Sequence, residues 1–311
     1  MAQSIKGPGT ASGNLRGTGW MLLTGLLFVG VTGLVRALGT DMNPIQAAFI
    51  RYGFGFVLMI PLLLKIDDIR PPIKVFRLHI YRGLLHGVGV TLWFFSMARI
   101  PIAEVTALGF TAPIFTTVGA ALFLGEKLRA RRIGAVLIGF GGTLIILRPG
   151  FETVSIGALA QVAAAPVFAG SFLIAKKLTE TESSSSIVGF LSIVVTLVLL
   201  PPALMVWRTP TGMELILLFF VAVLATAGHV TLTKAFQCAE ITVTQPAQFL
   251  QLVWATLLGL IVFGEQPVLW TWVGGAIIVA SATYIAHRET RIKDKSNLMD
   301  AEIVAESEPR R

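Results

Sequence analysis

The chain has 311 residues, of which 54% are hydrophobic and 14% charged, with a mean hydropathy of +0.78. Soluble domains average about 25% charged residues. Here the apolar residues are blocked into long uncharged runs, which excludes a soluble enzyme, a disordered scaffold and a nucleic-acid-binding module. The single cysteine, Cys238, excludes a disulfide framework and a Cys-cluster metal site. The net charge of +8 takes its meaning from where the basic residues fall.

A helix that spans a bilayer takes about 20 mostly apolar residues. Ten such stretches follow one another: 17–35, 44–64, 80–98, 105–125, 133–147, 153–175, 183–207, 215–233, 241–264 and 266–287. The second is interrupted only by Arg51. Short linkers separate them, many marked by proline, which suits helix starts. The expected architecture is all-α and integral to the membrane: ten transmembrane helices. Residues 1–16 read as a polar cytoplasmic tail, 288–311 as a disordered one, and Ser183–Ser186 as a flexible connector.

With the N-terminus inside, twenty of the 25 Lys and Arg residues fall in cytoplasmic segments. Only Arg36, Arg99, Arg148 and Arg208 fall outside. Basic loops stay cytoplasmic, so this asymmetry places both termini inside an inner membrane. It also explains the high pI through contact with anionic headgroups.

The chain repeats itself. Helix 4 ends Leu124-Gly125-Glu126 and helix 9 ends Phe263-Gly264-Glu265; each is followed by a glycine-containing apolar helix (Ile133-Gly134-Ala135, Val273-Gly274-Gly275). The offset is 139–140 residues, so residues 17–148 and 153–287 form two five-helix repeats, and an odd helix number inverts the second. Inverted repeats mark secondary transporters, with the substrate near the midplane.

This arrangement resembles the ten-helix EamA-type branch of the drug/metabolite transporter superfamily, over about residues 17–287. The residues carrying the resemblance are Arg51 in Phe49-Ile50-Arg51-Tyr52, Ala98 before Pro101-Ile102-Ala103, Pro113 ahead of Gly125-Glu126, and the partial copy Ala235…Gln245-Pro246…Gly264-Glu265. In one departure, Pro113 aligns with Leu252, while Pro246 sits earlier, so the two gating helices are expected to bend differently. The resemblance implies a transporter of metabolites and leaves the substrate open. It also favours a structural role for Arg51, at a position shared across differing substrates.

Polar groups inside a membrane usually face the bundle interior. Gln245, Gln248 and Gln251 share a drifting face of helix 9, and the repeat offset sets Thr106, Gly109 and Ala112 opposite them. The pairing makes room and offers hydrogen bonds, as a substrate cavity needs; the alternative is interhelical glue. His86 and His229 lie on helices 3 and 8, either to carry a coupling proton or as neutral, hydrogen-bonded residues. Trp93 on helix 3 is a stacking surface or ordinary packing. Arg51 snorkels outward or meets an acidic group. Arg36 and Glu104 form an outer gate pair or remain solvated loop charges.

Glu126 and Glu265 end equivalent helices, where a carboxylate opposes the dipole. Each is expected to cap the helix that follows. Pro113, Pro166 and Pro246 interrupt helices 4, 6 and 9, as bending points or packing adaptations. No phosphate loop, HExxH or GxSxG sequence occurs. The expectation is a secondary transporter of a small metabolite, such as an amino acid, amine, vitamin or nucleoside-like solute, without cofactor, metal or nucleic acid. Protons are a possible coupling ion, and the chain is a monomer or homodimer. The competing class is a membrane receptor, scaffold or enzyme.

Overall fold

In a computed structural model, the described residues are 11–64, 71–112, 115, 130–148, 154–239, 244, 247–248, 250–281 and 283–284. Among them lie ten helices and no strand. They are α1 (Ala11–Leu38), α2 (Pro44–Leu63), α3 (Ile73–Met97), α4 (Ile102–Gly109), α5 (Ala130–Leu147), α6 (Ile156–Leu178), α7 (Ser184–Met205), α8 (Gly212–Cys238), α9 (Leu250–Phe263) and α10 (Leu269–Ser281). Five of these, α1, α2, α6, α7 and α8, are long and apolar enough to cross a membrane. The ten-helix expectation holds.

Several boundaries move. Residues 11–16 extend α1 instead of forming a tail. The serine run opens α7: Ser183 caps it, its hydroxyl accepting from the Ser186 amide at 3.1 Å. An N-cap serine satisfies one of the amides that a helix start leaves free. At the start of α3, Lys74 and Arg77 are helical rather than in a loop. Arg82 is fully buried, and its Nη1 donates to the Ile187 carbonyl of α7 at 2.8 Å. A run-length reading stops at charges. This helix carries its charge inward because a carbonyl is there to receive it.

The packing follows the repeat. α1 lies against α8, and its counterpart α6 lies against α3; α2 meets its own counterpart α7, and α4 meets α9. Thr24 of α1 hydrogen-bonds Thr231 of α8 at 2.8 Å, and Ser96 of α3 donates to the Gly157 carbonyl of α6 at 2.8 Å. The repeats are therefore interleaved. The main buried cluster draws on α1, α2, α3, α4, α7 and α8 together. α5 and α10 touch backbone to backbone at Gly142 and Gly274, where a Cβ on Gly274 would sit 2.5 Å from the Gly142 carbonyl oxygen. Those two glycines serve a contact inside the chain.

Candidate functional site

Where the two repeats interleave, α1, α2, α3, α4, α6, α8 and α9 enclose a cavity. The repeat relation runs through its wall. Phe28 and Thr32 of α1 have Phe168 and Phe172 of α6 as counterparts 140 residues on, and all four line it. On α3 and α8 the offset is 139: His86 answers to Ala225, and Val90 answers to His229. Each repeat thus supplies one histidine, at exchanged positions.

The rings form one cluster. His86 and His229 stand 5.0 Å apart between centroids, edge to face. His86 also meets Phe168 at 5.1 Å and Tyr52 at 6.0 Å, and its Nδ1 lies 3.0 Å from the Ser171 hydroxyl. His229 packs edge-on against Phe28 at 5.3 Å. Phe168 and Phe172, one turn apart, stack at 6.0 Å with planes 11° apart. Aromatic pairs favour these edge and offset geometries.

Of the residues singled out from sequence, Thr106, Gln248, Gln251, His86, Trp93, His229 and Arg51 all line the cavity. Gln245, Pro113, Pro246 and Glu126 lie outside the described residues. Pro166 is inside α6. Gln161 was missed. It is 3% exposed on α6 and lines the cavity, and its Oε1 has no protein partner. Gly109 leaves it space, since a Cβ there would lie 3.0 Å from Gln161 Nε2. The signal was present: Gln161 is a lone amide in an apolar helix, the pattern that singled out the helix-9 glutamines. Tyr52, Phe168 and Phe172 had no such signal, because aromatics are common throughout these helices.

Two polar fastenings flank the cavity. One turn beyond Thr32, Arg36 Nη1 donates to the Met97 carbonyl at 2.8 Å and the Ile100 carbonyl at 3.3 Å. Its Nη2 pairs with Glu265 Oε1 at 2.6 Å. The other oxygen, Glu265 Oε2, accepts the amide of Ile102, the first residue of α4, at 2.8 Å. Both earlier expectations for these residues need correction. Arg36 pairs with Glu265 rather than Glu104, and Glu265 caps α4 rather than the helix after it. The cause is Gly264, at φ +65. This left-handed turn folds the chain back, so that the Glu265 amide donates to Gly259 O at 3.0 Å and the carboxylate faces α1 and α4.

One turn beyond Phe172, at the opposite end, Lys176 Nζ donates to the carbonyls of Phe236 at 2.5 Å and Ala239 at 3.1 Å. Lys176 is 140 residues after Arg36, and its two acceptors are 139 residues after Met97 and Ile100. The same helix-end cation holds the same pair of carbonyls at both ends of the molecule. Among the described residues, no group of three His, Cys, Asp or Glu could hold a metal ion.

Inverted, interleaved repeats around a central cavity define a membrane protein built to hold a small molecule within its core. Comparison with known proteins gives the family. Residues 15–148 and 155–286 each match the EamA-like transporter family, and the chain belongs to it. It is 34% identical over 283 residues to the riboflavin transporter of Vibrio cholerae, covering 89% of this chain and 95% of that protein. To the S-adenosylmethionine uptake transporter of Rickettsia felis it is 32% identical over 288 residues, covering 91% and 96%. A more distant relative, the pseudopaline exporter CntI of Pseudomonas aeruginosa, shares 25% over 265 residues, covering 84% and 92%. A crystal structure with 19% identity shares the fold, at a TM-score of 0.61 over 89% of this chain and 98% of that one.

Proposed function

We propose that the chain is a secondary transporter that carries a small, cofactor-like metabolite across the inner membrane by alternating access, with both termini in the cytoplasm. One observation carries the reading: equivalent fastenings stand one turn above and one turn below a cavity shared by inverted repeats. Release of the Arg36 end with the Lys176 end held, and then the reverse, exposes the cavity to each side in turn. Because the ends are related by the repeat, the two states differ little in the kind of contact they contain, and a solute with differential affinity can shift the balance.

The wall supports a planar nitrogen heterocycle as cargo. Aromatic faces stack on such rings, and Gln161, Gln248 and Gln251 offer donors and acceptors to ring edges. The relatives named for riboflavin and S-adenosylmethionine carry cargo of this kind, and the name of the latter supports uptake. His86 and His229, facing Arg51, Tyr52 and Ser171 and with Arg82 one turn below His86, are the groups through which a proton would couple.

Purified protein in proteoliposomes tests this. Riboflavin or S-adenosylmethionine should accumulate or exchange, and Gln248→Ala should raise the half-saturating concentration. An imposed proton gradient should drive flux in the unaltered protein and lose its effect in His86→Gln. If neither solute moves and Gln248→Ala leaves uptake by cells unchanged, the cavity assignment fails.

A further inference from the structure

The charge inventory of the cavity bears on which cargo it would accept. Aromatic rings, three glutamines, two histidines and one guanidinium line the wall. No carboxylate lines it among the described residues; of the acidic ones, Glu104 and Glu214 sit in the first turns of α4 and α8 and Glu265 is held by Arg36. Arg51, expected to snorkel outward or meet an acidic group in a structural role, instead is 4% exposed and faces the cavity, with its guanidinium lying 3.8 Å from the centroid of the Tyr52 ring. Among the described residues no carboxylate pairs with it.

The repeat relation sharpens the point. The positions on α7 equivalent to Arg51 are Phe190 and Leu191, and neither lines the cavity. The positive charge is therefore carried by one half only, in a wall that is otherwise largely two-fold. Gln161 Oε1 and His229 Nδ1, both buried on that wall, have no protein partner. They suit a neutral ligand edge with its own donors and acceptors.

We infer that the cavity takes an uncharged or anionic nitrogen heterocycle and rejects one bearing a permanent positive charge. This rests on the transporter reading above. Aromatic walls alone would attract a cation. Here a guanidinium already covers one of those faces, and a second cation would enter a low-dielectric site beside it with no counter-charge. Repulsion between unit charges a few ångströms apart in such a site outweighs one cation–π contact. S-adenosylmethionine carries a sulfonium; riboflavin is uncharged. The inference places this chain with riboflavin-like cargo.

Equilibrium binding to the purified protein tests it with three probes: riboflavin, S-adenosylmethionine, and the thioether that differs from S-adenosylmethionine by loss of the S-methyl group and its charge. The sulfonium should bind at least about tenfold more weakly than the better of the two other probes, a gap of ~1.4 kcal/mol. Arg51→Gln should shrink that ratio toward unity, and Arg51→Lys should preserve it. A sulfonium that binds as tightly as the better comparison probe in the unaltered protein overturns the inference while leaving a heterocycle transporter in place. An unchanged ratio in a folded Arg51→Gln protein overturns the assignment to Arg51. If none of the three binds, the heterocycle reading itself fails and takes this inference with it.

Discussion

The two ends of the molecule hold the same contact with different chemistry. At one, the planar fork of Arg36 serves two carbonyls through Nη1 and a carboxylate through Nη2. At the other, Lys176 reaches the equivalent two carbonyls with a single nitrogen. A guanidinium is preorganised to satisfy several acceptors at once, whereas an ammonium is a mobile point charge. The geometry of the fastening thus belongs to the repeat, and its strength to the residue placed there. The residue that the repeat relation sets against Glu265 is Glu126, which lies outside the described residues.

If these fastenings are alternating gates, cutting them has opposite effects on one reporter. Cys238, the single cysteine, sits between the two carbonyls that Lys176 holds. Lys176→Met should raise its rate of maleimide labelling about tenfold, the population shift that ~1.4 kcal/mol produces. Arg36→Met should lower labelling, because it favours the state open at the other end. Labelling that rises in both variants would mean that the contacts are static staples.

The exchange Arg36→Glu with Glu265→Arg comes next in expected effect. It restores an ion pair, but it turns a carboxylate toward the Met97 and Ile100 carbonyls and a guanidinium toward the Ile102 amide. Flux should stay near that of the single variants; full recovery would show that the ion pair alone matters.

A smaller, asymmetric effect should separate Arg36→Lys from Lys176→Arg. Losing the fork should reduce flux severalfold, whereas gaining one should change it less than about twofold. Equal losses would remove the distinction drawn between the ends. The smallest effect belongs to Ser183→Ala, which removes the α7 cap near the Lys176 end. It should cost about 1 kcal/mol of stability, read as a lowered melting temperature in detergent, with half-saturation unchanged. A changed half-saturation would tie that turn to the gate.

These contacts also show where sequence reasoning reaches and where it stops. The lone amides of helix 9, the two histidines, Trp93 and Arg51 stood out because polar or bulky groups in apolar runs are few, and all of those described lie on the cavity wall. Arg36 and Glu265 stood out as charges at helix ends, but their pairing did not. It joins residues 229 positions apart and depends on one left-handed glycine turn. The nearer Glu104 seemed the more natural partner. The burial of Arg82 was not legible for a related reason: only the packed structure reveals that Ile187 supplies an acceptor for it.

The lengths of the cavity-lining helices have a further consequence. α1, α3 and α8 contain 28, 25 and 27 residues. At about 1.5 Å per residue they run to roughly 38–42 Å, against a hydrocarbon layer about 30 Å thick. Such helices must lean or project beyond the acyl chains, and leaning responds to mismatch with the surrounding lipid. Because α1 carries Arg36, and α8 with the residue that ends it carries the carbonyls held by Lys176, a change of tilt acts directly on both ends. Membrane thickness, set by acyl-chain length, therefore becomes a mechanical input to a protein whose chemistry lies entirely at its centre.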